Sequence, residues 1–317
     1  MPKGFVLAKP LQQGAFDESE IYKLEKEDNL IITRKRDGWK IFAVVFKRKV
    51  KLYTDGLRDV TETLQHIKKE IEAMQLPSKT ILVGEAVFDD GTDHLGVVGS
   101  TLNSNPEKAI ELQRTRGFLR LIIFDMVFDD GEQCVGIKSY EYRLDLIINM
   151  FMISENNPEY VQPIEIIPTS YDEAKKVAVA HKWEGLVCYA RNFISSFRLD
   201  GKNPQRISGC YKWKPICEDD FIVRKWIPSE NDPTSVKELL LLQIDPTTKK
   251  EFDCGKLGTF SNAMRKELAL FIYPIVVQVK FEVRNASGKL RNKVFMGIRT
   301  DKKVRDCLAP KSFSEAT

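Results

Sequence analysis

The sequence predicts an α+β chain of two domains, and three patterns carry that prediction. Strand-forming runs recur along the 317 residues, separated by Asp-Gly and Lys-Arg turn signals. Apolar residues return at helical spacing in only a few segments. Near residue 217 the mixture of strands and helices gives way to short strands around one helix. The boundary is therefore placed between Pro215 and Asp219, giving domains at 1–216 and 217–317, the second with a C-terminal tail expected to be disordered.

In chain order, WKIFAVVF (39–46) and KLYT (51–54) read as a hairpin across the turn-like KRKV. Residues 60–74 place Val60, Leu64, Ile67, Ile71 and Met74 at helical spacing before Pro77, so they predict an amphipathic helix. KTILVGEAVF and FLRLIIFDMVF read as strands, and both run into VFDDG, at 87–91 and 127–131. Asp-Asp-Gly after a strand is hairpin chemistry, with an acidic metal-binding turn as the competing reading. Ser170-x-x-Glu173 is a capping box opening a helix that ends near His181. EGLVCYA (184–190) follows as a strand, and YKWKP (211–215) closes the first region. Beyond it, FIVRKWI, VKELLLLQI, IVVQVKFEV and KVFMGIR surround a helix starting near Ser261, with Met264, Leu268 and Phe271 on one face. Strands with a single helix in this length fit a small Greek-key barrel of the OB type.

Composition excludes several classes. A 43% hydrophobic content is enough for a core, while the N-terminus lacks the apolar stretch of a signal peptide and no run is long enough to span a bilayer. A cytoplasmic or nucleoid location without a membrane partner is expected. Six cysteines without a C-x-x-C pair, and only three histidines, leave little for a zinc site, so the thiols are read as reduced and mostly buried. The net charge of +4 is small but uneven: residues 280–305 carry nine bases against two acids. Such a face suits a polyanion, although a solvated charged surface would look the same.

The segment TRKRDGWK (33–40) is, taken alone, either a charged turn or the frame of a reactive lysine. Downstream come a glutamate at a strand centre (Glu85 in VGEAVF), Phe124-Asp125 in IIFDMVF, Glu184-Gly185 before a strand, and Lys212 and Lys214 in YKWKP. This order of motifs resembles the covalent nucleotidyltransferases and, within them, the minimal two-domain ATP-dependent DNA ligases. VLAKPL (6–11) is similar to the segment before their adenylation domain, and DCGKLGTFSNAMRKEL (253–268) resembles their Gly-rich turn into the barrel helix. LRNKVFMGIRTDK (290–302) resembles their C-terminal signature, with Lys293 where proline is usual.

The resemblance implies an antiparallel-sheet nucleotidyltransferase (adenylation) domain followed by an OB-fold β-barrel. It implies sealing of 5′-phosphate/3′-hydroxyl nicks in duplex DNA by a monomer, with ATP and Mg²⁺ or Mn²⁺ as cofactors. Lys35 would be the nucleophile forming lysyl-AMP, and it must react as the free base although a free lysine has a pKa of roughly 10.4. Lys212 and Lys214, at i and i+2 of a strand, would share a face toward the nucleotide phosphates. Glu184 would hold the metal, and Glu85 the ribose or the metal. Phe124 would stack on adenine unless it is simply a core residue, and Thr33 would recognise the adenine amino group unless it merely ends a strand. Arg299, Asp301 and Lys302 would orient the pyrophosphate, with Arg291 a weaker candidate. Lys40 would contact the nucleotide as well as DNA, and Arg58, Arg291 and Lys293 would meet DNA.

The chain departs from the family pattern at two places. Lys40 stands where an arginine is usual, which keeps the charge but loses the planar fork. In KLYTDGLRDVT an ungapped register places Asp55 where the family has a second arginine, leaving Arg58 as a substitute only if the turn is reshaped. With few residues before Lys35, nick affinity is expected to come from basic surfaces and to fall with salt. The competing readings are an RNA ligase or capping-type nucleotidyltransferase, and a nick-binding protein without catalysis.

Overall fold

A computed structural model describes residues 2–88, 95–154, 156–285 and 287–310. The chain divides into two units, Met1–Lys214 and Pro215–Thr317, each built on largely antiparallel sheet with helices against it. Among the described residues no helix is long and apolar enough to cross a membrane.

The first unit contains two main sheets. The larger runs Lys49–Thr54, Trp39–Phe46, Thr80–Phe88, Leu119–Asp129, Glu132–Gln133, with Val161–Pro163 joining Leu119–Asp129 in parallel. The smaller runs Lys9–Gln12, Arg206–Trp213, Gly185–Ala190, Leu30–Lys35, its first pair parallel and the others antiparallel. Trp39–Phe46 is almost continuously apolar because both of its faces are covered. Ile41, Ala43 and Val45 pack into the core that holds Ile67 and Ile71 of the helix Gln65–Ala73, while Phe42 points to a second core with Phe5, Val83 and Val127. Its hairpin partner Lys49–Thr54 follows Lys47 and Arg48, whose φ angles of 49° and 63° give the left-handed two-residue turn that suits twisted strands.

Four details differ from the sequence reading. The helix expected from residue 60 begins at Gln65, because residues 60–61 are still tied to the neighbouring strand. The Val60 N–H donates to the Leu52 carbonyl at 2.9 Å, and Leu52 N–H donates to the Thr61 hydroxyl at 3.0 Å. Second, TRKRDGWK joins two sheets rather than turning one hairpin: Leu30–Lys35 pairs with Gly185–Ala190, whereas Trp39–Phe46 pairs within the larger sheet. Gly38 is needed there for close approach, since a Cβ would lie 2.2 Å from the Ala86 carbonyl oxygen. Third, DCGKLGTFSNAMRKEL leads into the helix Asn262–Ala269 as expected, but its first five residues belong to the strand Glu251–Leu257, bulged where Leu241 faces Gly255 and Leu242 faces Asp253, with Gly255 at φ 97°. Fourth, Lys214 lies beyond the end of its strand, Arg206–Trp213.

The second VFDDG is a hairpin, with Asp129 opposite Glu132 and with Asp130 and Gly131 at positive φ. In the first copy residues 89–91, and at the C-terminus residues 311–317, fall outside the described residues. Ser170 caps the helix Tyr171–Ala180 by accepting from the Glu173 N–H. The six thiols are free, and all but Cys217 are buried.

The second unit is a five-stranded antiparallel sheet in the order Glu251–Leu257, Val236–Ile244, Cys217–Pro228, Ile275–Phe281, Val294–Ile298. Its core gathers Phe221, Val223, Leu239, Leu241 and Val277, and the helix Asn262–Ala269 contributes Leu268. Ser261 caps that helix by accepting from the Met264 N–H.

Candidate active site

A cavity of about 710 Å³ opens in the first unit, and both sheets supply its walls. Thr33, Lys35, Lys40, Arg58, Glu85, Phe124 and Lys212 all line it, although the sequence spreads them over nearly 180 positions. Antiparallel pairing brings them together: Lys35 faces Gly185, Lys212 faces Val187, and Lys40 faces Glu85.

Lys35 ends its strand, and its amine contacts Glu184 Oε2 while also reaching the Arg36 carbonyl at 3.4 Å. Glu184 Oε1 lies 3.0 Å from Lys214 Nζ, so one buried carboxylate is gripped by two lysines. Burial alone would push the Glu184 carboxyl up, but Lys35 and then Lys214 outweigh it and hold the group below its ordinary range. Gly185 lets this corner close, because a Cβ there would meet the Trp213 carbonyl oxygen at 2.1 Å.

Glu85 and Lys212 complete the polar wall. Burial pushes the Glu85 carboxyl up to about 7, against the pull of Lys35 and Lys40. Burial, and then the positive charge of Lys35, push Lys212 down to about 8. A carboxyl and an amine both titrating near neutrality in one cavity are the kind of perturbed groups that functional sites gather.

The apolar wall carries Phe124, half-buried on Leu119–Asp129. Behind it Tyr140 donates its hydroxyl to the Phe124 carbonyl at 3.2 Å and stacks on Tyr189 with ring centroids 3.7 Å apart. Asp125 is held by Arg143 through Nε at 2.6 Å and Nη2 at 3.3 Å, and Arg143 is fully buried. The sequence reading did not single out Tyr140, Tyr189 or Arg143. They sit on a helix and a strand with no distinguishing local pattern, and only the tertiary packing gives them partners. Thr33 is buried, and its hydroxyl donates to the Val187 carbonyl at 3.3 Å.

Lys40 turns to Asp55 at 2.8 Å, and the other Asp55 oxygen lies 3.1 Å from Lys9. Arg58 Nη2 donates to the Leu102 carbonyl at 2.9 Å, and its guanidinium lies over the Trp39 ring. In the second unit Arg299 pairs with Asp301 at 2.8 Å and Asp220 at 3.2 Å, and Lys302 stands 3.8 Å from Asp220. Arg291 lies on a short strand paired with Val283–Arg284, and Lys293 donates to the Leu290 carbonyl at 2.6 Å.

Among the described residues no group of three or more His, Cys, Asp or Glu side chains converges as a metal cage would. Glu85 lines the cavity with Asp55 and Asp125, and Glu184 contacts the cavity residue Lys35; Glu85 and Glu184 together are a set that suits a cation shared with phosphate oxygens.

The family model for the ATP dependent DNA ligase domain matches residues 6–204. The fold is similar to that of a Lig E DNA ligase, studied for DNA binding with a minimal scaffold: 17% identity, TM-score 0.64, covering 93% of this chain and 99% of that one. It is also similar to the ATP-dependent DNA ligase from bacteriophage T7 in complex with ATP: 17% identity, TM-score 0.50, covering 92% of this chain and 98% of that one. A sequence comparison with curated proteins found no match.

Proposed function

The chain belongs to the ATP-dependent DNA ligases, and on that premise we propose that Lys35 is the amine that takes AMP from ATP. The observation that carries this assignment is the placing of Lys35 at a strand end, against Glu184, in a cavity that also holds Lys212, Glu85 and Phe124. Adenine stacks on Phe124, with Thr33 contacting its edge, and Glu85 accepts from ribose hydroxyls. Lys212 and Lys214 lie toward the phosphates.

In the first step the Lys35 nitrogen bonds to the α-phosphorus, the bond to the bridging oxygen breaks, and pyrophosphate leaves. In the second, the nick 5′-phosphate oxygen displaces Lys35 from AMP. In the third, the 3′-hydroxyl attacks that phosphate and AMP leaves. Each is an in-line displacement, so the side chains act by positioning and by neutralising charge. Glu184 and Glu85 would hold Mg²⁺ or Mn²⁺, which when bound offsets charge on the phosphoryl oxygens. The first unit is the adenylation domain, and the second is an OB-fold barrel. Arg299, Asp301 and Lys302 orient pyrophosphate in the first step, which calls for a hinge near residues 215–219. Lys40, Arg58, Arg291 and Lys293 contact nicked duplex DNA, and the protein acts as a monomer.

The test is a sealing assay on 5′-phosphorylated nicks with DNA and RNA strands exchanged, supplied with ATP, GTP or NAD. ATP is expected to give lysyl-AMP and sealing, and Lys35→Ala neither. Full activity in Lys35→Ala, or lysyl labelling by GTP alone, overturns the assignment.

A further inference from the structure

Asp55, like Glu184, is a carboxylate held by two lysines, but it lines the cavity and is the more exposed of the two. Its two carboxylate oxygens are taken by lysines from two different sheets, Lys40 at 2.8 Å and Lys9 at 3.1 Å, and all three residues line the cavity. The other acids on this wall differ. Asp125 is spent on the buried Arg143, and Glu85 stands opposite Lys40 in the strand register while the Lys40 amine reaches Asp55 instead. Burial would raise the Asp55 carboxyl, but Lys40 and then Lys9 outweigh it and hold the group below its ordinary range, so it is an anion at neutral pH.

Two ammonium groups converging on one oxyanion describe a phosphate site, and here a side chain of the same protein supplies the oxyanion. The cluster is also accessible. The side chains of Lys9 and Asp55 are 33% and 39% exposed, against 15% and 7% for Lys35 and Glu184, while Lys40 at 17% is as covered as Lys35, so it is Asp55 and Lys9 that solvent reaches more easily. A phosphate monoester brings a charge of about −1.5 to −2 and three acceptor oxygens, against one charge and two oxygens for a carboxylate.

We propose that Lys9 and Lys40 form a phosphate-binding site that Asp55 fills in the free protein, so that an incoming phosphate has to displace this internal anion. Asp55 is then a specificity element: it weakens capture of any phosphate and favours those delivered with further contacts. The phosphate belongs either to ATP or to the nicked strand. This inference rests on the nucleotide and nick reading of the cavity given above.

The experiment uses the full chain as wild type, Asp55→Asn and the double variant Asp55→Asn with Lys9→Ala. Asparagine keeps the shape and one acceptor for a lysine but removes the charge. Two quantities are read: the ATP concentration for half-maximal lysyl-AMP formation, and the ratio of affinities for nicks bearing a 5′-phosphate and a 5′-hydroxyl, measured in chelator. Asp55→Asn is expected to improve one of them by roughly three- to tenfold, the span of a single partly screened charge interaction. The double variant is expected to lose the gain. A fall in the ATP concentration assigns the site to the nucleotide, and a rise in the 5′-phosphate ratio assigns it to the nick. No change, weaker binding in both assays, or a gain that survives Lys9→Ala overturns the inference. Absence of lysyl-AMP in the wild type would instead defeat the functional reading itself.

Discussion

The two units each set an arginine fork on a carboxylate, and the two pairs differ most in their surroundings, the first arginine also donating to the Lys138 carbonyl at 2.6 Å. In the first unit Arg143 meets Asp125 with its Nε at 2.6 Å, and the side chains are 0% and 7% exposed. In the second, Arg224 meets Glu251 with its Nε at 2.7 Å, and the side chains are 48% and 26% exposed. Both forks set Nε on one carboxylate oxygen and Nη2 on the other, so the arrangement of the fork does not separate them. Solvent does: water can take over either half of the exposed pair, whereas nothing replaces the partner of the buried one. The buried pair also stands beside the cavity, one residue from Phe124. In this protein, charge that is costly to strand is placed where a side chain has to be held still.

The largest effect should come from stranding Asp125. Arg143→Met leaves a buried carboxylate without its cation, for which about 3–5 kcal/mol of stability is expected to be lost. Thermal melting measures that loss. Because Phe124 precedes Asp125 and receives the Tyr140 hydroxyl, the ATP concentration for half-maximal adenylation should also rise. Adding Asp125→Leu removes the stranded charge and should recover much of the stability without restoring the ATP response. A loss under about 1 kcal/mol in the single variant would mean that water reaches the pair, and the contrast with Arg224 would fail.

The same contrast explains which parts of the molecule were legible in the sequence. Lys35, Glu85, Phe124, Glu184 and Lys212 were picked out by the order of their motifs, which resembles that of the ligases, since TRKRDGWK taken alone read equally as a charged turn. Strands buried on both faces were equally plain, since Trp39–Phe46 and Leu119–Asp129 are long apolar runs. Arg143 was not legible, because its partner is 18 residues away and its helix presents only an apolar pattern with an arginine in it. Lys9 was quoted within VLAKPL, but its meeting with Asp55 depends on two sheets coming together. Glu251–Leu257 was missed because Gly255 sits at a bulge, where a glycine inside a strand imitates a turn. The helix start was misplaced because Val60 is apolar for the core it shares with Leu64, Ile67 and Ile71, while its backbone is still bonded to the neighbouring strand.

Buried charge should also leave a pH signature, of intermediate size. With Glu85 raised to about 7, the folded protein keeps a proton that the unfolded chain releases above its ordinary value of 4.5. The unfolded state therefore binds fewer protons between those limits, and stability falls as pH rises through them, levelling above pH 7. The total is on the order of 3 to 3.5 kcal/mol for a rise from 4.5 to about 7 at 1.36 kcal/mol per unit. Lys212, lowered from 10.5 to about 8, acts with the opposite sign and only above pH 8. Glu85→Gln should match the wild type near pH 4.5 and exceed its stability by pH 7.5, in melts recorded with chelator present. A constant difference across that range would show that Glu85 is solvated.

The smallest effect belongs to the exposed fork. Arg224→Ala should cost less than about 1 kcal/mol, and the cost should shrink as salt is raised, because a pair in contact with water is screened. Melting of the full chain at low and at near-molar salt checks both statements. The second is the sharper, since a packing loss from the arginine stem would not respond to salt while a lost charge pair would. If Arg224→Ala cost as much as Arg143→Met and kept that cost in high salt, exposure would not be what divides the two pairs. The guanidinium fork itself would then carry the energy, and the reason for placing a buried pair beside Phe124 would have to be sought in shape alone.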